Sequence, residues 1–584
     1  MRVIILSTAF SGLTQRVLTE LELLNHTIEQ HYDLNEDVLR QQAEKFNPDV
    51  IICPYLTQRI PDDIWSKYIC LIVHPGIEGD RGPSSLDWAI IEGAQQWGVT
   101  LLQANGNYDA GDIWGTHTFP MRPAPKLSIY KREVTEAAIK LIKKALVDIA
   151  EKNIATHSLD YTSPKMLGKE RPLMKQADRA IAWPNNSTKE ILRKLNSADS
   201  RPGVRGVING VDIHMYGGVA DANLKGEPGT IIAIYKDAIC MATKDGAIWI
   251  RQLKCSQLQN LPPIKLPALT VLENIYQSAQ LSNIPVLQNA PVIEDIKVEH
   301  HQDVAYVYFN FYNGASNTQQ CIDLKNTVAS LKQSAAKKIV LMGGEDFWNN
   351  GIHLNCIEAS ESPADESWKN INAINDLILE IINTPNQVTI AALRNNAGAG
   401  GAIMALACDQ VIIRSGVVLN PHYKTMGLFG SEYWTYLLPK RVGKEKSHQL
   451  MEECLPMLAD EALKIGFVDQ IFDEDWDKYH QNLHQYCEQL SEVIDINTFL
   501  ATKMDSFEAD NTIKNLSAYR DVELSHMKQS FFDLASDYHE KRRAFVYKVK
   551  TSVSSACVNF YFPFLNNRGC DDAVWQPLGI ILRR

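Results

Sequence analysis

The chain lacks an excess of basic residues, a paired-cysteine motif and any long apolar run. Its formal net charge is −11, and we expect it to bind neither nucleic acid nor membrane, because phosphate contacts need a basic surface. The 11 cysteines include no Cys-x-x-Cys and no Cys/His set with metal-ligand spacing, which argues against disulfides and predicts no metal site. No run approaches the roughly 18 apolar residues of a membrane-crossing helix, so we expect a cytoplasmic protein.

The chain has a globular composition and is too long for one ordinary core. It has 584 residues, of which 45% are hydrophobic and 22% are charged, and a chain of this length is expected to divide into several domains. The patterning predicts an α/β multidomain protein with four regions, residues 1–165, 166–290, 291–500 and 501–584.

Hydrophobic patterning predicts a fold for each region. Short apolar runs alternate with helical stretches in the first region, which is typical of a Rossmann-like parallel sheet. Strand-like stretches separated by Asn-Gly, Gly-Gly and Asp-Gly turns indicate a small OB-like β-barrel in the second. The third is a new α/β run with an amphipathic helix from Trp368 to Ile381, and the fourth is helical with an unassigned tail. The predicted strands include residues 3–6, 50–53, 71–74, 211–216, 230–235, 238–242, 248–253, 304–309, 338–342 and 388–393.

Residues 74–90 carry the most informative motif, His-Pro-Gly-Ile-Glu-Gly-Asp-Arg-Gly-Pro-Ser-Ser-Leu-Asp-Trp-Ala-Ile. Its histidine, His74, follows an apolar strand and is expected at the strand's carboxyl end, where open α/β sheets bind ligands. A second loop carries Asp109. Since an imidazole can polarise a carbonyl while a nearby carboxylate manages protons, this pair predicts acyl transfer.

The two loops resemble those of the folate-dependent formyltransferases, which carry Asn-x-His, an Arg-Gly loop and a distal Asp-x-Gly. The resemblance implies a formyltransferase fold for the first region and catalytic roles for His74 and Asp109. It implies ligand binding by Arg81, Gly82 and Gly111, with 10-formyltetrahydrofolate as the one-carbon donor.

The resemblance has two departures and one extension. Pro83 follows Arg81-Gly82 directly, which departs from the position of the family's proline. Ile72 stands where the family has its asparagine, so one carbonyl donor is missing. The second region resembles the C-terminal domain of methionyl-tRNA formyltransferase, from Ile-Ala-Trp at residues 181–183 to Pro-Gly-Thr at residues 228–230. We do not extend tRNA binding to this chain, because the module has few basic residues.

Two glycine-containing turns stand out in the third region, at residues 343–354 and 396–409. Each places glycine soon after a predicted strand, which lets backbone N–H groups approach a ligand oxygen closely. Two converging N–H groups form an oxyanion hole, in which losing one donor typically costs about 3–4 kcal/mol of barrier. The turns therefore predict a second acyl site.

These turns resemble the crotonase (enoyl-CoA hydratase/isomerase) family. The resemblance implies a ββα superhelix, a coenzyme A thioester as ligand, and Ile352 and Gly400 as oxyanion donors, with Gly351 and Gly401 in the binding turns. The two hydratase glutamates of the family fall on Ile403 and, less securely, Tyr423. We therefore expect a thioester site with chemistry other than water addition.

The segments at residues 420–439 and 538–546, like residues 74–90, resemble the HypX/HoxX family of hydrogenase maturation proteins. This resemblance implies that Tyr423 or Glu432 assists removal of the formyl proton. Because arginine's fork matches phosphate oxygens, Arg132 and Arg542 are interpreted as candidate ligands for the phosphates of coenzyme A.

The resemblance implies two linked reactions. A formyl group passes from 10-formyltetrahydrofolate to coenzyme A, and formyl-CoA then loses carbon monoxide, which the family supplies to [NiFe]-hydrogenase. We expect small-molecule substrates, with hydrogenase maturation proteins as candidate partners. Two alternatives stay open: formyl transfer to a nucleotide sugar or tRNA with a degenerate second half, and a non-catalytic maturation scaffold.

Overall fold

The structure is a computed structural model that describes residues 1–32, 35–162, 166–493 and 495–549. The unassigned tail from residue 551 lies outside the described residues, as does the predicted boundary at residue 165. Among the described helices, none combines the length and the apolar character needed to span a bilayer.

The first region contains a six-stranded sheet in the order β2-β1-β3-β4-β5-β6. The prediction of a parallel sheet is confirmed for the first four strands in that order, of which β1, β3 and β4 are largely buried apolar runs. It is wrong for β5 and β6, which pair antiparallel because only residues 104–112 connect them. The elements are β1 Arg2–Ser7, α1 Gly12–Leu23, β2 Thr27–Tyr32, α2 Glu36–Phe46, β3 Val50–Cys53, α3 Asp62–Trp65, β4 Cys70–His74, α4 Ser85–Glu92, β5 Gln96–Gln103, β6 Ile113–Pro120, α5 Lys126–Ile129, a π-helical turn Tyr130–Val134 and α6 Thr135–Ala150.

The second region is an antiparallel sheet in the order β7-β8-β11-β10-β9, with β12 paired to β11. Within the described ranges this order starts at β7 and stops at β9 without closing, so the module is an open sheet rather than the predicted barrel. Its elements are α7 Thr188–Ala198, β7 Val204–Ile208, β8 Val211–Asp221, β9 Ile231–Tyr235, β10 Ala238–Ala242, β11 Ala247–Cys255, β12 Leu266–Pro267, α8 Ala268–Ile275 and α9 Ser278–Leu281.

The third region stacks a six-stranded sheet, β13-β14-β15-β16-β18-β21, beside a three-stranded one, β17-β19-β20. The strands are β13 Ile296–His301, β14 Val304–Phe309, β15 Lys338–Gly343, β16 Val388–Leu393, β17 Ala397–Gly398, β18 Gln410–Arg414, β19 Val418–Asn420, β20 Met457–Leu458 and β21 Gln470–Phe472.

Helices cover these sheets and continue into the fourth region. The predicted amphipathic helix is confirmed as α12, whose apolar face is buried at Ile371, Ile374, Ile378 and Ile381. The helices are α10 Thr318–Leu331, α11 Leu354–Ala359, α12 Pro363–Ile382, α13 Ala399–Ala405, α14 Trp434–Val442, α15 Lys444–Glu453, α16 Ala459–Lys464, α17 Trp476–Val493, α18 Ile496–Ile513, α19 Leu516–Phe532 and α20 Asp537–Tyr547.

Buried charges join the first region to the third. Arg16 of α1 donates to the Gly416 carbonyl at 2.5 Å and pairs with Glu474 at 2.9 Å. Arg414 of β18 pairs with Glu136 of α6 at 3.2 Å. These contacts hold the carboxyl edge of the first sheet against the third region.

Candidate functional site

His74 ends β4, at the carboxyl edge of the parallel strands, and its side chain lies between two carboxylates. The residue is 4% exposed. Its Nδ1 is 3.4 Å from Asp109 Oδ1, and its Nε2 is 3.4 Å from Asp80 Oδ2. Asp109 lies in the β5–β6 connection with a left-handed φ of +50°. The structure thus brings the predicted pair together and adds a second acid; we call these three residues the first site.

Opposing effects set the charges of the first site. Burial lowers the pKa of His74, but hydrogen bonds and charges from Asp109 and Asp80 outweigh it and raise the pKa to about 9. Burial acts to raise the pKa of Asp109, yet its contacts with His74, Gly82 and Arg81 leave that pKa below its ordinary value. At neutral pH the ring is therefore held as an imidazolium, whose positive charge suits a developing oxyanion.

Asp80 is held by the segment that leaves the first region. Arg171 donates through Nε to Asp80 Oδ1 at 3.1 Å and through Nη1 to Glu92 at 2.5 Å. Sequence reasoning missed Asp80 and Arg171 as site residues. Asp80 belongs to the motif at residues 74–90, but nothing in the sequence indicates that the loop turns its carboxylate back onto the ring.

The loop residues predicted to bind ligand surround Asp109. The Gly82 N–H donates to Asp109 Oδ2 at 3.2 Å, and Gly82 has a φ of +116°. Arg81 donates to the Tyr108 carbonyl at 3.2 Å. A Cβ on Gly111 would overlap the carbonyl oxygen of Gln103, so this turn requires glycine.

A cavity of about 1160 Å³ extends from the first site to the third region. His74 and Asp109 form part of its wall, and Asn350 and Gly398 form another part. Ile72, Tyr130 and Lys131 also line it, the last two from the π-helical turn. The volume exceeds the range of about 300–1,000 Å³ typical of a single ligand pocket, so it offers room for more than one ligand.

The second glycine-containing region lies next to that cavity. Asn350 and Gly398 precede Gly351 and Gly400 by one and two residues. Gly351 has a φ of +78°, and a Cβ on it would lie 3.5 Å from the Gly400 nitrogen. Within the described part of the chain, the N–H groups of Ile352 and Gly400 donate to no protein acceptor. Neither residue lines the cavity, which reaches these turns at Asn350 and Gly398.

A buried carboxyl group faces Gly400. Glu432 Oε2 accepts from the Tyr423 hydroxyl at 2.8 Å and from the Ser431 N–H at 3.0 Å. A Cβ on Gly400 would overlap its Oε1. Burial raises the pKa of Glu432 to about 7, with the Tyr423 hydrogen bond opposing and the charge of Glu523 adding to the rise. A carboxyl group that titrates near neutrality can exchange protons with a substrate.

The remaining crotonase-like positions are structural. A Cβ on Gly401 would overlap the Asn349 backbone, so glycine is required where α13 meets that turn. Ile403, at one of the family's glutamate positions, is buried in α13.

We call Ile352, Gly400, Tyr423 and Glu432 the second site. In the described ranges, no group of three or more His, Cys, Asp and Glu side chains is placed to hold a metal ion.

The two arginines proposed for phosphate binding contact protein groups. The Arg132 guanidinium lies 4.1 Å from the ring centroid of Trp476, which Arg414 also approaches at 4.4 Å. Arg542 is buried and donates through Nε to Glu358 at 2.7 Å. Neither Arg132 nor Arg542 lines the cavity.

Three family models match successive parts of the chain. Formyl transferase matches residues 16–146, the formyl transferase C-terminal domain matches residues 173–263, and enoyl-CoA hydratase/isomerase matches residues 299–554. A methionyl-tRNA formyltransferase of Thermotoga neapolitana is 24% identical over 226 residues, covering 38% of this chain and 71% of that protein. The order of the matches agrees with the order of the first three regions along the chain.

Relatives that span both halves are similar over nearly the whole chain. The hydrogenase maturation factor HoxX of Bradyrhizobium diazoefficiens is 40% identical over 553 residues, which cover 94% of this chain and 96% of that protein. The crystal structure of HypX from Aquifex aeolicus in complex with tetrahydrofolic acid superposes with a TM-score of 0.88 and 39% identity, covering 94% and 96% of the two chains. With a formyltransferase half and a crotonase-like half joined at one cavity, the chain belongs to the HypX/HoxX family of hydrogenase maturation factors.

Proposed function

We propose that this protein makes carbon monoxide for [NiFe]-hydrogenase in two steps. The first site transfers the formyl group of 10-formyltetrahydrofolate to the thiol of coenzyme A, and the second converts formyl-CoA into carbon monoxide and coenzyme A. The observation that carries the proposal is the shared cavity, whose wall includes His74 and Asp109 as well as Asn350 and Gly398. A flexible thiol arm could deliver its thioester through such a space with little contact with bulk water.

In the first step, the positive charge of the His74 imidazolium stabilises the negative charge that develops on the formyl oxygen, while its two N–H groups stay directed at Asp109 and Asp80. The thiol loses its proton, the carbon–sulfur bond forms, and the bond from the formyl carbon to N10 breaks. N10 leaves with a proton, and Asp109 relays protons between thiol and amine. The pKa of about 9 supports this role for His74, because the ring remains charged at neutral pH. The Asp80 carboxylate fixes the ring and keeps it charged, but it does not supply the carbonyl donor that is missing at Ile72.

In the second step, the N–H groups of Ile352 and Gly400 hold the thioester oxygen. Ionised Glu432, oriented by Tyr423, accepts the formyl proton while the carbon–sulfur bond breaks and carbon monoxide leaves. The proton then passes to the departing thiolate, so that one formyl-CoA gives one carbon monoxide and one coenzyme A. The pKa of about 7 supports Glu432 as the base in this step.

The ligands follow the same reasoning. The bound tetrahydrofolate of the Aquifex relative supports folate at the first site of this chain. Coenzyme A fits the thioester chemistry of the second site, and contact of Arg132 and Arg542 with its phosphates stays a prediction. The carbon monoxide would pass to partner proteins of hydrogenase maturation, in agreement with the function of the Bradyrhizobium relative.

The test uses the purified full chain with 10-formyltetrahydrofolate carrying ¹³C in the formyl group. Formyl-CoA is followed by mass spectrometry, and ¹³CO is trapped by haemoglobin. Asp109→Ala should abolish formyl-CoA formation while leaving decarbonylation of supplied formyl-CoA intact, and Glu432→Gln should do the reverse. Loss of both reactions in either folded variant would contradict the two-site division.

The same preparation tests the other activities. A nucleotide amino sugar and tRNA replace coenzyme A as acceptors in parallel reactions. Formylation of either one, with none of coenzyme A, would overturn the proposal in favour of a different formyltransferase. No turnover with any acceptor, together with binding to maturation proteins, would favour a scaffold.

A further inference from the structure

The loop that carries Glu432 has an unusual backbone. Glu432 and Tyr433 have φ values of +65° and +58°, the left-handed region that residues other than glycine adopt at an energetic cost. Two such residues in succession persist only when surrounding contacts hold them. The loop immediately precedes α14, and it places Glu432 Oε1 beside Gly400.

A carboxylate from a distant helix supplies those contacts. Glu523 of α19 is buried, and it accepts from the Tyr433 N–H at 2.9 Å, the Thr435 N–H at 2.8 Å and the Thr435 hydroxyl at 2.6 Å. The Ser431 hydroxyl lies at 3.4 Å. In the described ranges no Lys, Arg or His lies within ion-pair distance of Glu523; its neighbour Arg520 pairs with Asp376 instead. Glu523 is therefore directed entirely to this loop.

A buried amide completes the frame. Asn375 of α12 accepts through Oδ1 from the Glu432 N–H at 2.8 Å and from the Ser431 hydroxyl at 3.0 Å, and its Nδ2 approaches Ser431 Oγ at 2.8 Å. Two helices, α12 and α19, thus fix the backbone on both sides of the Glu432 Cα, and the left-handed conformation follows from their hydrogen bonds.

We infer that Glu523 is a positioning residue of the second site, which holds Glu432 against Gly400 through the backbone of residues 431–435. This inference rests on the proposed function, since it assigns Glu523 to the decarbonylation step. It makes α19, from the helical fourth region, part of that site. The resemblance of the glycine turns to enoyl-CoA hydratases does not by itself identify α19 as part of that site.

The charge of Glu523 also reaches Glu432. The titratable groups that face Glu432 are Tyr423 from its own segment, Glu523 from α19 and the Cys321 thiol from α10. Burial raises the pKa of Glu523 to about 7, against the hydrogen bonds from Thr435, Tyr433 and Ser431. Because a neighbouring negative charge favours the protonated acid, removing the Glu523 charge should lower the pKa of Glu432.

The decisive variant is Glu523→Gln in the full chain, since glutamine keeps the shape but cannot accept both backbone N–H groups and the hydroxyl as a carboxylate does. We expect kcat for supplied formyl-CoA to fall at least about tenfold, as the loss of a base-orienting contact predicts, with little change in KM. In the pH profile of kcat, the midpoint of the acid limb should move to lower pH. Formyl-CoA synthesis should be unchanged.

Hydrogen exchange supplies a measurement that does not depend on activity. The amides of Tyr433 and Thr435 should exchange faster in Glu523→Gln than in the parent protein. Asp521→Asn, an exposed change on the same helix, should alter neither exchange nor kinetics. Thr435→Val removes only the 2.6 Å hydroxyl contact and should give an intermediate effect, so it serves if the first variant does not fold.

The outcomes separate the two proposals. In Glu523→Gln, faster amide exchange at Tyr433 and Thr435, slower turnover of formyl-CoA and a lower acid-limb midpoint would together support the positioning role of Glu523. Unchanged turnover and midpoint in a folded Glu523→Gln protein overturns it, even if the exchange changes. If the parent protein releases no carbon monoxide, the proposed function is contradicted. Hydrogen exchange then decides the positioning role alone: unchanged amide exchange in Glu523→Gln would show that Glu523 does not anchor the loop.

Discussion

Oε1 of Glu432 lies so close to Gly400 that a Cβ built on residue 400 would overlap it. The same glycine supplies an N–H group with no protein acceptor in the described part of the chain. The base and the oxyanion donor of the proposed second step are therefore in direct contact, and a change at either residue is transmitted to the other.

Gly400→Ala should inactivate decarbonylation selectively. The added methyl group displaces the Glu432 carboxylate, which Tyr423 and Ser431 hold by hydrogen bonds, and the misplacement should cost about 10²–10³-fold in kcat, the effect of losing one oxyanion donor. Supplied formyl-CoA is the substrate to assay. Gly106→Ala is the control, because its Cβ would have no neighbour nearer than 3.8 Å; equal loss in both variants would contradict the argument.

Asp80→Asn should shift the pH dependence of formyl transfer. Burial lowers the pKa of His74, and the two acids raise it to about 9, so the first step should fall as pH rises through about 9. Removing one acid lowers that pKa, and the alkaline limb should move toward neutrality. NMR titration of the ring in both proteins checks the assignment, and an unchanged limb would show that another group controls it.

The same histidine contributes to the pH dependence of stability. Its folded pKa of about 9 exceeds the value of about 6.5 in an unfolded chain. The contribution is therefore fully present below about pH 6.5 and is lost as pH rises through about 9. Urea unfolding at several pH values measures the free energy of unfolding. Its decrease over this pH range should be smaller in Asp80→Asn than in the parent protein.

Gly398→Leu should separate the two reactions. Gly398 lines the cavity in an extended conformation, and a Cβ there would meet only Asn350 Oδ1 at 3.3 Å and the Asn420 carbonyl at 4.0 Å. A leucine side chain should then narrow the space between the sites. We expect formyl-CoA to accumulate from 10-formyltetrahydrofolate and coenzyme A while carbon monoxide release falls. Unaltered release at the parent rate would argue for a different route.

Arg16→Met should weaken the contact between the first and third regions. Arg16 is buried and pairs with Glu20 at 2.6 Å and Glu474 at 2.9 Å. Breaking a buried pair typically costs 3–5 kcal/mol, and the remaining Lys143 contact to Glu20 leads us to expect the lower end, about 3 kcal/mol. Urea unfolding measures it. Arg40→Met is the control, because Arg40 forms exposed ion pairs with Glu36 and Asp63, and it should leave the midpoint of urea unfolding unchanged.

Strands with uniform apolar character could be predicted from the sequence, and those with mixed character could not. Residues 50–53, Val-Ile-Ile-Cys, form β3 as predicted. In contrast, β2 has the sequence Thr-Ile-Glu-Gln-His-Tyr and lies at the edge of the described sheet, where it pairs with β1. An edge strand contributes little to the core, so its hydrophobic pattern is weak.

The same limit applies to the sites. His74 and Asp109 belong to recognisable loops, and their proximity could be predicted. The contact between Glu523 and residues 431–435 joins positions about 90 residues apart in sequence, and Glu523 lies on a helix whose composition resembles a solvated surface. Asn375 is likewise one polar residue on a largely apolar face of α12. Only the packing of α12 and α19 against the loop reveals either role.

The π-helical turn at Tyr130–Val134 makes the cavity wall sensitive to chain length. Tyr130 and Lys131 line the cavity from this turn, and α6 continues directly from it. An α-helix advances by about 100° per residue. Deleting one residue from the turn would restore regular winding and rotate these two side chains by about that angle relative to α6, so single-residue insertions and deletions here would remodel the chamber between the halves without altering either chemical centre.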